Sequence, residues 1–216
     1  MSERSSNTST TPTDPTPSPD ELASRYGDVY RKRDRIELTP QRFERGVERG
    51  DDGSWGAGAL VVADSRGLFV SEGDSWFLPG GRVESNESIE AAARREVTEE
   101  TGVVVELTDL GAIAEQTFVH PEDGRSYEFF FATFCAVPRS STRDDPTDTA
   151  PVHPNDNAAI HLNDEPPTHT DDTAPTYSND TPQTRPGAVD EVSWFETVPE
   201  DTFDRALVRR LFETYV

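Results

Sequence analysis

One stretch limits what this chain can fold into more than any other. From about Glu87 to Thr101 the residues follow a helical rhythm that stops at Gly102, and the helix turns three carboxylates toward its own apolar side. At about 100° per residue, Glu99, Glu100, Ile89, Ala92 and Ala93 all fall within about 60° of Glu96, while Arg94, Arg95 and Thr98 point away. A Glu-rich helix is ordinarily a solvated one, but a solvated acidic face would lie opposite Ile89. The acids also stand near the helix C-terminus, where the macrodipole disfavours them. Carboxylates gathered on an inward face repel one another and lose hydration unless cations compensate. Hard divalent ions with oxygen ligands, Mg²⁺ or Mn²⁺, suit that role best. Arg95, four residues before Glu99, is placed to orient that carboxylate. Gly80-Gly81, just upstream, reads as a turn that lets backbone approach closely, so that a backbone carbonyl can join the ligands.

The rest of the chain reads as α/β. Strands are expected at Ala57 to Ala63, at Leu68 to Ser71 across an Asp64-Ser65-Arg66-Gly67 link, and at Ser75 to Leu78. Further strands are expected at Val103 to Val105, Ala112 to His120, Tyr127 to Val137 and Glu191 to Val198. The Tyr127 strand is apolar on both alternating faces, which predicts a central position covered on both sides. A helix is expected from Asp20, as its cap, through Arg33, although Gly27 weakens it. A second is expected from Thr39-Pro40 to Gly50, and a last one from Thr202 or Phe203 with Leu207 and Leu211 on its apolar face. Residues 1–19 are rich in Ser, Thr and Pro and are expected to be a disordered tail. Residues 139–186 hold few large apolar side chains and read as a low-complexity acidic loop insertion. The implied organisation is a tail over 1–19, a helical extension over 20–54, a domain over 55–138 and 187–216, and an insertion over 139–186.

Composition narrows the function classes. The formal charge is −22, from 42 Asp and Glu against 20 Lys and Arg, and Lys32 is the single lysine. About −14 of this belongs to the part expected to fold, since residues 1–20 carry −2 and 139–186 carry −6. A basic groove for nucleic acid is therefore not expected. Such a surface repels itself at low ionic strength, the pattern of a salt-loving microbe's protein; a GC-rich genome also favours Arg over Lys. The longest apolar run, Phe129 to Val137, is too short to span a membrane, and the first residues lack the apolar core of a secretory signal, so a cytoplasmic protein is expected. With one cysteine, Cys135, there is no intrachain disulfide, and that residue reads as a buried small hydrophobe. His153, His161 and His169 recur every eight residues but lie in the low-complexity stretch. His120 reads as a strand-end residue. Trp76, Phe77, Phe118 and Tyr127 are candidates for stacking on a base, with core packing the plainer reading of each.

The stretch from Gly81 to Val103 resembles the Nudix box: Gly81, Glu87, Arg95, Glu96, Val97, Glu99, Glu100, Gly102 and Val103 stand at the box's fixed positions. The resemblance implies an α/β/α sandwich with a mixed sheet. It implies divalent-metal-dependent hydrolysis of a nucleoside diphosphate linked to another moiety, with a small nucleotide as partner and Mg²⁺ or Mn²⁺ as cofactor. By similarity Glu96, Glu99 and Glu100 are metal ligands, Gly80 supplies a carbonyl, Arg95 and Glu87 are orienting partners, and Gly81 and Gly102 are structural. The general base varies in the family: a box glutamate, or a loop carboxylate, for which Asp190-Glu191, just ahead of Val192-Ser193-Trp194, are suitably placed. ADP-ribose-like compounds and nucleoside triphosphates lead the substrate classes. The proline that marks the ADP-ribose subclass is absent at its place, where Phe118 stands and Pro121 follows late. A non-catalytic module that senses a nucleotide and regulates a partner is the alternative, against which the intact glutamates count. An isomerase branch that uses a cysteine is a third. A homodimer is compatible with the family.

Overall fold

The computed structural model describes residues 16–139 and 189–216, which belong to one compact unit. The element order is α1 (Pro19–Ser24), β1 (Tyr30–Glu37), α2 (Pro40–Arg49), β2 (Ser54–Ala63), β3 (Arg66–Glu72), β4 (Ser75–Phe77), β5 (Gly80–Arg82), α3 (Ile89–Thr101), β6 (Val105–Val119), β7 (Ser126–Pro138), β8 (Glu191–Phe195) and α4 (Arg205–Tyr215). The strands form an eight-stranded mixed sheet in the order β1-β6-β7-β2-β3-β4, with β5 added to β2 and β8 to β3. β7 lies between β6, antiparallel, and β2, parallel, in the central place its two apolar faces require.

Strand alternation divides the core in two. Ala57, Ala59, Val61, Leu110, Ile113, Ala132 and Phe134 face α3, meeting Ile89, Ala92, Ala93 and Val97. Leu60, Phe69, Ala112 and Ala114 face α4, meeting Leu207, Val208, Leu211 and Phe212. This is the α/β/α sandwich. Burying Ile89 and Val97, 2% and 0% exposed, holds α3 on the sheet with about 1.5–3 kcal/mol from each. A third cluster of Leu38, Phe43, Phe118, Tyr127 and Phe129 packs α2 beside the far end of β6 and β7. Phe118 and Tyr127 are thereby core residues and not base-stacking ones. Cys135 is buried at 2% exposure, and burial pushes its thiol up to about 12, which suits an inert hydrophobe.

Several expectations need correction. The helix expected through Arg33 ends at Ser24, and Tyr30–Glu37 is instead an edge strand paired in parallel with Ala112–Val119. The 20–54 segment is thus part of the sheet as well as helical. Its first helix is capped by Ser18, in a capping box with Glu21, and not by Asp20. Ser18 and Pro19 therefore leave the expected tail. The expectations for 1–15 and 140–186 fall outside the described residues; Arg139 is described, and its N–H donates to the Val104 carbonyl at 2.8 Å. Gly80-Gly81 is not a turn but the heart of β5. The strands expected at Val103 and Ala112 are one strand, β6, interrupted by register shifts between Leu107 and Asp109 and between Leu110 and Ala112. The β2–β3 link is the two-residue turn Asp64-Ser65, both with positive φ, as the twist of a tight hairpin demands. Phe203 precedes α4 instead of belonging to it.

The β2–β5 contact is as close as two backbones can come. A Cβ at Gly80 would lie 2.6 Å from the Gly58 Cα and 2.9 Å from the Ala57 carbonyl oxygen. Gly80→Ala is expected to cost about 1–3 kcal/mol, read as a lower thermal midpoint, because backbone and not a flexible side chain must yield.

Candidate active site

α3 begins at Ser88, whose hydroxyl accepts the Ala91 N–H, and ends at Gly102 with φ 72°, the left-handed conformation a glycine adopts without strain. These two caps fix which residues of the helix face the sheet. Glu96 does so fully, at 3% exposure, on the same side as the apolar residues that anchor α3. Glu100, partly buried, accepts the Gly80 N–H at 2.9 Å. Glu99 is the outermost of the three, with its side chain 45% exposed.

Arg95 ties this end of the helix together. Its Nη1 donates to Glu96 at 2.8 Å and Glu99 at 3.2 Å, its Nη2 to Glu87 at 2.6 Å and to the Arg82 carbonyl at 3.0 Å, and its Nε to Glu87 at 3.2 Å. The helical wheel points Arg95 away from Glu96, but the long side chain curls back to reach it. Glu87 in turn accepts the Glu84 N–H at 2.7 Å, so the loop after β5 is pinned to the same guanidinium. Arg82 is held at its other end by buried Asp51, at 2.6 Å, which also pairs with Arg49. The structure thus brings together Gly80, Glu87, Arg95, Glu96, Glu99 and Glu100, with Gly81 beside them in β5.

The electrostatics are unbalanced. Among the described residues, one guanidinium, Arg95, is set against the carboxylates of Glu87, Glu96, Glu99 and Glu100. Burial raises the Glu96 carboxyl above the ordinary value, Arg95 opposes this, and Glu99 and Glu87 add to it. Burial also pushes Glu100 up to about 7; the Gly80 N–H works against the shift, and Glu96, Glu72 and Glu99 reinforce it. At Glu87 burial is outweighed by Arg95 and the Glu84 N–H, and its carboxyl is lowered.

Glu72 is a residue that sequence reasoning missed. It ends β3 on the face of Leu68 and Val70, the face toward α3, and its charge is felt at Glu100. The period-two alternation of β3 was the signal that could have found it. Glu191, by contrast, opposes Ser71 at the exposed start of β8, and alternation puts it on the α4 side together with Phe69 and Phe195. Its carboxylate accepts the Ser193 hydroxyl at 2.8 Å. The structure does not bring it into contact with the α3 glutamates. His120, buried at 6% exposure, does more than end a strand. Its Nδ1 faces the Glu122 and Asp123 N–H groups and shapes the β6–β7 turn.

Four acids of hard oxygen donors, one opposing cation and a glycine backbone at close approach fit a divalent cation in chemical type. As the side chains stand, no three His, Cys, Asp or Glu groups among the described residues are drawn together tightly enough to enclose one. In the antiparallel ladder Gly80 sits between the bonded positions at Ala59–Pro79 and Trp55–Val83. Its N–H and carbonyl both turn away from β2, the N–H toward Glu100.

A sandwich with an acid-bearing helix laid against a glycine strand is the frame; the family follows from comparison. The NUDIX domain model matches residues 52–179, and the chain belongs to that family. A MutT-like protein of Streptomyces ambofaciens is 41% identical over 63 residues, 28% of this chain and 41% of that protein. The nucleoside triphosphatase NudI of Escherichia coli O139:H28 is 49% identical over 49 residues, 23% of this chain and 33% of that protein. The chain thus spans less than half the length of these curated relatives. Among solved structures, a MutT NUDIX hydrolase from Burkholderia pseudomallei is 19% identical over 76% of this chain and 97% of that chain, with a TM-score of 0.43. A UDP-X diphosphatase is 16% identical over 75% of this chain and 62% of that one, with a TM-score of 0.44.

Proposed function

We propose that the chain is a divalent-metal-dependent pyrophosphohydrolase acting on a nucleoside diphosphate linked to another moiety, with a nucleoside triphosphate as the leading substrate. The observation that supports it best is the excess of buried and half-buried carboxylate at the C-terminal end of α3 over the single charge of Arg95. The name of the NudI relative, and the absence of the subclass proline at Phe118, favour a triphosphate over ADP-ribose. Glu96, Glu99 and Glu100 would hold Mg²⁺ or Mn²⁺, with the Gly80 carbonyl on the same side of β5. A metal held there would supply neutralisation of the pyrophosphate charge and a lowered pKa for water, the chemistry that hydrolysis of a P–O–P bond into two phosphate-bearing products requires.

The chain's own residues do the rest. Arg95 holds Glu96, Glu99 and the Glu87 loop in one geometry, and Glu87 fixes the guanidinium in turn. Gly80 positions Glu100 through its N–H. A proton acceptor within α3 is favoured over Glu191, because strand alternation sets Glu191 on the other side of the sheet. Glu191→Gln should therefore leave turnover within about threefold of wild type. A loss of 10²-fold or more, with metal affinity kept, would move the base to β8.

The functional test is a substrate screen of the purified protein with Mg²⁺ or Mn²⁺ in molar KCl. It should cover nucleoside triphosphates, sugar nucleotides, dinucleotides and ADP-ribose, with product masses recorded. A nucleoside monophosphate and pyrophosphate are expected from a triphosphate. Failure on every phosphoanhydride would contradict the reading.

We propose separately, from the acidic composition, that the protein is cytoplasmic and salt-adapted. Among the described residues no helix is long and apolar enough to cross a membrane. The charge of −22 predicts a melting temperature that rises from low to molar KCl as screening relieves repulsion. A flat or falling midpoint would remove the halophilic assignment.

A further inference from the structure

Phe77 and Phe203 form a stacked pair, with centroids 5.6 Å apart and planes 25° from parallel. Phe203 is 37% exposed, an unusual place for a large apolar ring. The pair is not needed to fasten the segment before α4 to β4. Backbone bonds already do that, from Trp76 N–H to the Asp201 carbonyl at 3.0 Å and from Phe203 N–H to the Trp76 carbonyl at 2.8 Å. Nor does it belong to the α4-side core, where Trp76 packs on Phe195.

Its position relative to the carboxylates follows from register. Phe77 opposes Val70 on β3, so it shares the α3-facing side with Val70 and Glu72. Thr202 bridges Trp76, which puts Phe203 on the Phe77 side. Phe77 is three residues before Gly80, whose N–H holds Glu100, and three residues of chain reach at most about 11 Å. The Phe77 Cα therefore lies within that reach of the Gly80 Cα, on the side of the sheet that carries the carboxylate cluster. Leu78 and Pro79 lie between the two and add no charge.

We propose that Phe77 and Phe203 are the stacking platform for the base of the nucleotide substrate, the half-exposed Phe203 ring offering the outer face. This rests on the hydrolase reading above and deepens it. Stacking of a base on an aromatic ring is tolerant of which base it is. The platform thus selects for a nucleoside over a bare polyphosphate more strongly than for one base over another.

The test compares a nucleoside triphosphate with inorganic tripolyphosphate, which has no base, in wild type and in Phe77→Leu, Phe203→Leu and Phe203→Trp. The Leu variants keep apolar volume and lose the flat face; Trp keeps it. In each Leu variant the ratio of the triphosphate's KM to the Ki of tripolyphosphate should rise about tenfold, and in Phe203→Trp it should stay within twofold of wild type. An unmoved ratio in both Leu variants, or a parallel rise of both constants, overturns the proposal in favour of packing. Wild-type turnover with an unmoved ratio sinks the platform alone. Absence of turnover on any nucleoside substrate sinks the hydrolase reading and the platform with it.

Discussion

Glu96→Gln, Glu99→Gln and Glu100→Gln should each lower turnover by about 10²–10³, the usual loss when a main electrostatic contact to the transition state is removed. Each change keeps shape and deletes one charge, so divalent affinity should fall with turnover. The metal-free fold should respond in the opposite sense, most clearly at Glu100. Its carboxyl is raised from the ordinary 4.5 to about 7, first by burial and then by Glu96, Glu72 and Glu99. A raised acid binds its proton more tightly in the folded state. The stability this confers is complete below about pH 4.5 and is lost as pH rises through about 7. Wild-type protein in EDTA should therefore melt at lower temperature at pH 8 than at pH 5. Glu100→Gln should flatten that slope and, above pH 7, be more stable than wild type by about 1–3 kcal/mol. Melts across pH 5–8 check this. A steeper slope in the variant would contradict the charge assignment.

Arg95→Ala should be the most damaging single change to stability in the site. It leaves buried Glu96 without its counter-charge and frees the Glu87 loop and the Arg82 carbonyl together. Removing one partner of a buried pair costs about 3–5 kcal/mol, and partial exposure of Arg95 puts the expected loss at the lower end, about 3 kcal/mol. Arg95→Lys restores the charge but not the fork that spans Glu87, Glu96 and Glu99, so it should recover less than half of the loss. Denaturant melts in EDTA measure both. An Arg95→Ala midpoint equal to wild type would mean that the guanidinium network does not organise the site.

The helix that bears the glutamates was legible because everything that defines it is local. Ser88 and Gly102 cap it, and a 3.6-residue period decides which side Glu96 shares with Ile89 and Val97. What was not legible depends on partners far along the chain. Tyr30–Glu37 is charged at most positions and is a strand because β6 lies beside it 82 residues later. Gly80-Gly81 has no side chains to show alternation, and β5 exists because Gly56 and Gly58 on β2 let the backbones meet. β6 read as two strands because its register shifts interrupt the period. The place of Glu191 near the glutamates could be supposed from chain order, but its face is set by pairing with Ser71, which sequence spacing does not reveal. The hold of Asp51 on Arg82 is of the same kind, a buried contact between residues 31 apart.

The most direct test of the central claim is a Mn²⁺ titration of EDTA-treated protein, paired with turnover, for wild type and for the Glu99→Gln/Glu100→Gln double variant. The account predicts saturable Mn²⁺ binding in wild type, weaker binding by at least tenfold in the double variant, and turnover lost in parallel. Full turnover and unchanged Mn²⁺ affinity in the double variant would contradict it.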